Sequence, residues 1–305
     1  MSIEPLGKAM RLYDITTETG DFIANGIVSH NCYARPSHAY LGLSPGLDFE
    51  TRLFAKTNAA EKLREELSKP NYRVEPIAIG VNTDAYQPIE REYRITRSVF
   101  EVLLEAKHPS FVITKSALIE RDLDLLVPLA LQNLLGVTIT LVTLDHAISR
   151  HLEPRTTAPA RRLKTIETLA AAGIPVNVNI APVIPFLTDA ELENIMEAVA
   201  AAGARSAAYT LLRLPWEVKD IFKAWLETHF PLKAAHVMSR VREMRGGREN
   251  DPNFVSRMHG QGEFGELLRQ RYRKGIARFG LDKPWPELDC TKFKPPRLDG
   301  QQSLF

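Results

Sequence analysis

Short apolar runs alternate with amphipathic segments over most of this chain, and this alternation limits the folds that it can adopt. Apolar runs of strand length lie at residues 49–57, 76–81, 111–114, 137–144, 175–181 and 206–212. Helical spacing of charged and apolar positions is found at 59–68, 96–106, 122–134, 160–172, 189–202 and 218–228. Thr188 is the predicted N-cap of the helix over 189–202. Strands that alternate with helices predict parallel βα units, so the expected fold class is α/β.

Composition narrows the class of protein further. The 305 residues, 44% of them hydrophobic, suffice for one large core and a small appendage. The formal net charge of +2 is too close to neutral to indicate nucleic-acid binding. The two cysteines exclude a disulfide framework, and no segment resembles a signal peptide or a membrane-spanning run. We therefore expect a reducing, cytoplasmic location and no membrane association.

Residues near the N-terminus carry the chemistry of a self-cleaving peptide bond. His30, Asn31 and Cys32 supply a proton donor, an asparagine that can attack its own carbonyl, and a thiol that can carry a branched ester. Together with Tyr13-Asp14-Ile15 and Phe22-Ile23-Ala24-Asn25-Gly26-Ile27-Val28, this triplet resembles the C-terminal end of an intein. The resemblance implies a trans-splicing fragment whose partner is an N-terminal intein and extein half.

The same resemblance gives Asp14 a role, because the matching acid in inteins tunes the thiol of the residue that follows the splice point. The alternative is an ordinary N-terminal β-hairpin that happens to end in His-Asn-Cys. Asn25-Gly26 suits that alternative as well, since both central positions of a type I′ turn need positive φ.

From Cys32 onward the sequence no longer resembles an intein. Cys32-Tyr33-Ala34-Arg35-Pro36-Ser37-His38 resembles the last cysteine of the cluster loop in radical S-adenosylmethionine (SAM) proteins related to spore photoproduct lyase and the DNA repair photolyase group. Those proteins carry Cys-x3-Cys-x2-Cys, whose thiolates bind three irons of a [4Fe–4S] cluster and leave the fourth iron for SAM. Only Cys32 of the three is present, so we expect that this chain alone does not hold the cluster. Considered without its neighbours, Cys32 would be interpreted as a buried, inert cysteine.

The resemblance, which spans roughly residues 32–300, implies a specific architecture. The expected fold is a partial (β/α)6 radical SAM barrel that lacks its first strand and most of its cluster loop, preceded by a short β intein fragment. The domains would be 1–31 (intein fragment), 32–230 (incomplete barrel) and 231–305 (helical extension and tail). Periodicity itself supports only an α/β fold.

Barrel enzymes place their chemistry in the loops after strands. Thr83-Asp84-Ala85-Tyr86-Gln87-Pro88-Ile89-Glu90 resembles the family's Thr-Asp-Pro-Tyr-Gln-Pro-x-Glu, with Ala85 in place of proline. The resemblance implies that Thr83 and Asp84 hydrogen-bond the SAM ammonium, and that Lys115 reaches toward SAM or substrate. The alternatives are a surface turn capped by Asp84 and a solvated lysine at a strand end.

Further candidates lie on later strands and loops. Alternating Asn177 and Asn179 in an apolar strand indicate polar sites of the barrel interior rather than core filler, because buried amides need partners. Arg213, after the sixth predicted strand, meets either SAM or a rim carboxylate. In the Glu153-Pro154-Arg155 loop we expect an Arg–carboxylate pair, with Arg161 or Arg162 nearby.

The remaining features are weaker. The histidines other than His30 have no metal-ligand spacing, and we expect surface or structural roles for His108, His151, His229, His236 and His259. The basic segments 240–248 and 269–278 fit either a solvated face or a nucleic-acid backbone groove. The C-terminal Gln301-Gln302-Ser303-Leu304-Phe305 resembles a bacterial sliding-clamp peptide, the alternative being a disordered end with two chance hydrophobes.

Three functional hypotheses follow. The first is an enzyme, the catalytic half of a radical SAM protein that cleaves SAM to a 5′-deoxyadenosyl radical, with DNA as a candidate substrate by resemblance. The second is a trans-splicing intein fragment whose immediate activity is peptide ligation. The third is a non-catalytic relic of a broken reading frame.

Overall fold

The computed structural model describes residue 42 and residues 55–81, 83–154, 156–253 and 256–296. In this part of the chain five strands form one sheet in the order β1-β2-β3-β4-β5, and every neighbouring pair is parallel. The strands are β1 (Ile77–Ile79), β2 (Ser110–Thr114), β3 (Leu135–Thr140), β4 (Val176–Val183) and β5 (Ser206–Leu211). The predicted α/β class is confirmed, whereas the partial barrel and the intein fragment stay predictions.

Ten α-helices lie in the described residues. They are α1 (Ala59–Leu67), α2 (Glu90–Tyr93), α3 (Ile95–Glu105), α4 (Leu123–Leu131), α5 (His146–Leu152), α6 (Pro159–Ala171), α7 (Leu192–Ala201), α8 (Val218–His229), α9 (Pro231–Glu243) and α10 (Gly262–Phe279). Short 3₁₀ helices cover Ala117–Asp122, Asp189–Glu191, Ser256–Met258 and Cys290–Lys292.

Two local predictions are wrong. Residues 55–57, the end of the first predicted strand, form no strand, and residues 49–54 lie outside the described part. Thr188 does not cap the helix that follows it. Its hydroxyl accepts from Ile184 N (2.9 Å) and donates to Pro182 O (3.3 Å), because the chain turns through a 3₁₀ segment before α7 begins.

The apolar core lies on one face of the sheet. Parallel register aligns Val112 with Val137 and Val137 with Val176, and all three are buried. Helices α3, α4, α6, α7 and α10 pack on this face and contribute the largest apolar side chains, among them Phe100, Leu126, Ile166, Ile195 and Leu268. Burial of these rows is the main source of stability for the sheet.

The opposite face of the sheet carries small and polar side chains. The register pairs Thr138 with Asn177 and Thr140 with Asn179, while Asn177 and Asn179 pair with β5 residues on their other side. We call this side the polar face and define it by Thr138, Thr140, Asn177, Asn179, Ser206 and Ala208. Neighbours in a parallel sheet point to the same side, so these residues form two polar rows across β3, β4 and β5.

The C-terminal segment closes the amino-terminal end of the polar face. Leu281 O accepts from Ala207 N (3.3 Å), and Asp282 bridges Ser206 in antiparallel fashion. The Trp285 ring then lies 5.0 Å from that of Phe111. Gly136 makes room for both rings, because a Cβ there would lie 2.7 Å from Phe111 and 2.9 Å from Trp285.

Helices after residue 230 pack on the same body as the sheet. In a second apolar cluster, α9 supplies Val237 and Val241 against Phe222 and Trp225 of α8. In the main core, α10 supplies Leu268, and its Gly275 lies against the α7 residue Met196. Helical structure beyond residue 230 is thus present, and the boundary between 32–230 and 231–305 stays a prediction.

Gly80, directly after β1, is required by a close backbone approach. Its φ is +81°, and an added Cβ would lie 2.2 Å from the Ile113 carbonyl oxygen. Gly173 is a matched control, since its φ is +79° and a Cβ there meets nothing within 4 Å. We expect Gly173→Ala to lower the free energy of unfolding by about 1–2 kcal/mol, the cost of a left-handed alanine. Gly80→Ala should cost that plus about 1–3 kcal/mol for the overlap with the β2 backbone. Equal losses for the two variants in urea unfolding would contradict this.

Candidate functional site

The carboxyl end of β2 is held by the Asp84 side chain. Asp84 Oδ1 accepts from Thr114 Oγ1 (2.5 Å) and Oδ2 accepts from Lys115 N (2.7 Å). Oδ1 also accepts from Tyr86 N (2.9 Å), which folds the loop back on itself. Thr114 Oγ1 in turn accepts from Ser116 N (2.9 Å). We call this arrangement, in which one carboxylate accepts from a threonine hydroxyl and from the next backbone N–H, a strand-end clamp.

A second strand-end clamp lies just beyond β3. Glu191 accepts from Thr143 Oγ1 (2.5 Å) and from Leu144 N (2.8 Å), while Thr143 Oγ1 accepts from Asp145 N (2.9 Å). In both clamps the residue two positions after the threonine caps the next helix. Ser116 accepts from Leu118 N (3.2 Å), and Asp145 accepts from Ala147 N (2.6 Å).

The loop between β1 and α3 is built as a support for the first clamp. Glu90 is buried and accepts from Thr96 N (2.8 Å), while the Thr96 hydroxyl donates to Ala85 O. The Arg121 guanidinium lies over the buried Tyr86 ring, 5.9 Å from its centre. Burial, followed by the Asp122 charge, raises the pKa of Tyr86, so its hydroxyl stays neutral. Thr83 is also buried, and its Oγ1, like the Tyr86 hydroxyl, has no hydrogen-bond partner among the described residues.

Lys115, Glu153 and Arg162 form a charged network beside the clamps. The Lys115 ammonium donates to Glu153 Oε1, and Arg162 donates to Glu153 Oε2 (2.6 Å). Arg162 is 1% exposed and also donates to Thr140 O (2.9 Å) and Thr157 O (2.7 Å). The expected Arg–carboxylate pair is therefore formed by Arg162, whereas Arg161 pairs with Glu120 (2.6 Å). Arg155 lies outside the described residues.

The charge state of Glu153 follows from these contacts. Burial by itself would raise the pKa of its carboxyl, but the Arg162 and Lys115 cations outweigh burial and hold the pKa below its ordinary value of 4.5. Glu153 is thus an anion at neutral pH, and it fixes Lys115 at the carboxyl edge of the sheet next to the polar face.

The two asparagines of β4 behave differently from each other. Asn177 Oδ1 accepts from Ser206 Oγ (2.9 Å), and Asn177 Nδ2 lies 3.5 Å from Thr138 Oγ1. Asn179, one row nearer the carboxyl edge, makes no side-chain hydrogen bond to the described residues. The prediction that both asparagines are polar sites of a barrel interior stays a prediction, and Asn179 is the one of the two whose amide could bind a ligand without losing a neighbour.

Arg213 follows β5 and is partly buried. It lies close enough to Arg245 that its charge, after burial itself, contributes to lowering the pKa of Arg245. Arg245 is anchored on Leu212 O (2.9 Å).

Comparison with known proteins identifies the family. Residues 46–199 match the model of the radical SAM superfamily. The chain belongs to the radical SAM superfamily. An uncharacterized protein of Mycobacterium tuberculosis is 36% identical over 253 residues, which cover 82% of this chain and 70% of that protein. An uncharacterized protein of Mycobacterium bovis gives the same values.

A solved structure shows the same fold. Spore photoproduct lyase complexed with dinucleoside spore photoproduct superposes with a TM-score of 0.57, covering 91% of this chain and 76% of that chain, at 14% identity. At this identity the likeness concerns the fold alone. It agrees with the predicted likeness to spore photoproduct lyase at the level of architecture.

The described residues of this radical SAM chain do not fit an iron–sulfur cluster. They contain no group of three His, Cys, Asp or Glu side chains that could hold a metal ion. Cys290, the one cysteine among them, lies at the amino-terminal end of the sheet, where Asp289 N donates to Asn133 O (2.9 Å). The predicted ligand Cys32 lies outside the described residues, as do Asp14, His30 and Asn31. So does Gln301-Gln302-Ser303-Leu304-Phe305.

The donor set does fit SAM. SAM is a zwitterion with hydroxyls, and the carboxyl edge offers the Lys115 ammonium, the Asn179 amide and the buried Thr83 hydroxyl. Asp84 is less suited than predicted, because its oxygens already accept from three donors.

Many of the predicted basic residues are neutralised or buried. Arg242 pairs with Glu249 (2.8 Å), Arg269 with Glu266 (2.7 Å) and Arg271 with Glu193 (2.5 Å). Arg245 is buried. Arg248, Arg273, Lys274 and Arg278 are exposed, and the choice between a solvated face and a nucleic-acid groove stays open. No helix in that part of the chain is long and apolar enough to cross a membrane.

The strand-end clamps themselves were missed by the sequence reasoning. A signal was present, since Thr-x-Ser at 114–116 and Thr-x-Asp at 143–145 both stand where an apolar run ends and a helix begins. The distant acids Asp84 and Glu191 have no such local signal, because the fold alone brings them to the threonines.

Neutralising Glu153 should destabilise the fold and flatten its acid dependence. Glu153→Gln leaves two cations without their buried anion, and we expect a loss of about 3–5 kcal/mol at pH 7. Because the folded-state pKa of Glu153 is depressed, its stabilising contribution is complete above the ordinary value of 4.5 and is lost as pH falls through the folded-state pKa. The measurement is urea unfolding from pH 7 to pH 3.

The matched control is Glu120→Gln. Glu120 pairs with Arg161, whose side chain is 44% exposed, so the loss should be about 1 kcal/mol or less. A Glu153→Gln variant that unfolds like the Glu120→Gln variant across this pH range would contradict the assignment.

Proposed function

We propose that this chain is the SAM-binding, C-terminal part of a radical SAM enzyme of the spore photoproduct lyase and DNA repair photolyase-like group. The observation that carries the proposal is Lys115. In a chain of this superfamily, the lysine is fixed by Glu153 at the carboxyl edge of the sheet, beside a polar face. An ammonium in that position suits an anionic group of a small zwitterionic ligand.

Lys115 can bind a ligand while keeping its partner. A lysine ammonium has three donors, and among the described residues only Glu153 accepts from it. The side chain is 26% exposed, so a ligand could reach its remaining donors. The Lys115 position continues the row that contains Ile113, which pairs with Thr138 of the polar face. We assign Lys115 to the SAM carboxylate.

The other predicted SAM contacts divide into ligands and supports. Thr83 and Asn179 have donor and acceptor groups left over, and we assign them to polar groups of SAM, with Asn177 holding the row beneath. Asp84 is a positioning residue, because it holds the backbone of Lys115 through a 2.7 Å hydrogen bond. We also propose that Arg213, which follows β5, contacts SAM.

The cluster requires a second component. Cys32 supplies one thiolate, and we propose that two further cysteines come from a partner segment joined to this chain by splicing. With the cluster bound, SAM supplies the radical that removes hydrogen from a substrate. DNA as that substrate and a sliding clamp bound through Gln301-Gln302-Ser303-Leu304-Phe305 are proposals that rest on resemblance.

Removing the Lys115 charge should weaken SAM binding without unfolding the chain. A hydrogen bond to a charged group contributes about 1.5–3 kcal/mol, so Lys115→Met should weaken SAM affinity about 10- to 100-fold. Binding would be measured by saturation-transfer NMR with SAM and the tag-free chain. Lys115→Arg should retain most of the affinity.

The control is Lys164→Met, which removes an exposed lysine paired with Glu167 on α6. Circular dichroism would verify that each variant is folded. The SAM assignment fails when Lys115→Met and Lys164→Met bind SAM equally well, or when the wild-type chain gives no SAM signal at millimolar concentration.

A second function, protein splicing, is favoured by the order His30-Asn31-Cys32. Mixed with an N-terminal intein half, the chain should lose residues 1–31 and gain the partner's extein, as read by mass spectrometry. Asn31→Ala should stop the reaction before the final cleavage, because the succinimide cannot form, and Cys32→Ala should block ligation. His30→Ala should slow cleavage at Asn31.

Cluster loading links the two functions. Reconstituted anaerobically with iron and sulfide, the unspliced chain should bind far less than one [4Fe–4S] cluster, and the ligated product should bind one. Cys32→Ala should abolish binding, whereas Cys290→Ala should leave it intact, since Cys290 lies at the opposite end of the sheet. Full loading of the unspliced chain would contradict the need for a partner.

A further inference from the structure

Two imidazoles that are distant in sequence meet on the outer side of the second apolar cluster. The rings of His151 and His229 lie 4.6 Å apart, centre to centre, with an angle of 36° between their planes. His151 is exposed and His229 is partly exposed. Sequence spacing gave no hint of this pair, because 78 positions separate the two residues and only the packing of α5 against α8 joins them.

We propose that His151 and His229 form a two-imidazole site for a divalent transition-metal ion. Metal–imidazole bonds are about 2.0–2.1 Å long, so two rings on one ion have centres about 4.5 Å apart at a right angle and about 5.2 Å apart at a tetrahedral angle. The observed 4.6 Å is close to the right-angle value and also suits a stacked ring pair, and the titration below distinguishes the two. Neutral imidazole is a common ligand for Zn²⁺, Ni²⁺ and Cu²⁺.

The surroundings favour a cation. His151 stands in the last turn of α5 and His229 is the last residue of α8. The carboxyl ends of two helices therefore meet at this point and favour positive charge, an effect that the amino-terminal end of α9 at Pro231 partly opposes. A simple stacked pair would gain nothing from that potential unless a ring were protonated, whereas a bound ion uses it directly.

Aromatic packing holds the two rings in place. Trp225 lies 5.6 Å from His229, and its Nε1 donates to His151 O (3.1 Å). Phe230 meets His151 edge-on at 6.4 Å. Within the described residues no third His, Cys, Asp or Glu completes a group of three, so water would fill the remaining positions of the ion. Such a site binds reversibly and takes a nitrogen-preferring ion.

A bound ion would connect the metal site to the charged network. Leu152 and Glu153 directly follow His151, and Glu153 is the anion that fixes Lys115. An ion bound to both α5 and α8 would therefore restrain the end of α5, which leads directly into Glu153.

The test is nickel titration calorimetry on the tag-free 305-residue chain. We expect one site in the wild type, weakened at least about tenfold by His151→Phe and by His229→Phe alike, since even indirect partners of a metal change affinity about 10- to 100-fold. Phenylalanine keeps a ring against Trp225 while removing the nitrogens. His146→Phe is the control, because His146 is exposed on the same helix but outside the pair.

A second measurement distinguishes loss of the metal site from misfolding of a variant. Nickel should raise the thermal unfolding midpoint of the wild type and of His146→Phe, because it binds the folded state, and should not raise that of either paired variant. Equal nickel binding by wild type and both paired variants, loss in only one of them, or no binding at millimolar nickel would each overturn the two-imidazole site.

Discussion

A carboxylate that accepts from a threonine hydroxyl and from the next backbone N–H holds the carboxyl ends of two neighbouring strands, and the candidate site depends on it. Parallel strands leave their last N–H groups without ladder partners, and such groups are costly when buried. Asp84 and Glu191 satisfy them at β2 and just beyond β3. Asp84 comes from the loop after β1 and Glu191 from the 3₁₀ helix before α7, so each clamp also fixes one connecting segment against another. Side chains on these segments are therefore held in fixed positions relative to the sheet.

The second constraint is the burial of Glu153. Its side chain is 3% exposed, and a carboxylate in that environment is stable only with cations beside it. Arg162 is committed to backbone carbonyls and to Glu153, so it serves the fold. Lys115 shares the same anion but is partly exposed, so it keeps donors for another group. One buried anion thus anchors the loop through Arg162 and fixes the position of the Lys115 ammonium.

How far the sequence predicts this structure depends on the range of the interaction. Local signals located all eleven of the predicted strands and helices that lie wholly or mainly in described residues, because apolar spacing reports directly on burial. They did not find α5, whose seven residues carry no clear stripe. The resemblance led to Lys115 and Glu153, but it could not show that Asp84 supports the backbone of Lys115. That fact depends on β1 and β2 lying side by side, which local sequence does not encode.

The clamp repeat also explains why Lys115, and not its counterpart, is the residue to test. Both clamps bond the backbone N–H of the residue after the threonine, and this bond is indifferent to the side chain there. That side chain is a lysine in the first clamp and Leu144 in the second. If the fold required only the clamp, leucine could follow the threonine in both clamps. The lysine offsets the burial of Glu153, which leucine could not do, and its remaining donors are the groups that the proposed ligand would use.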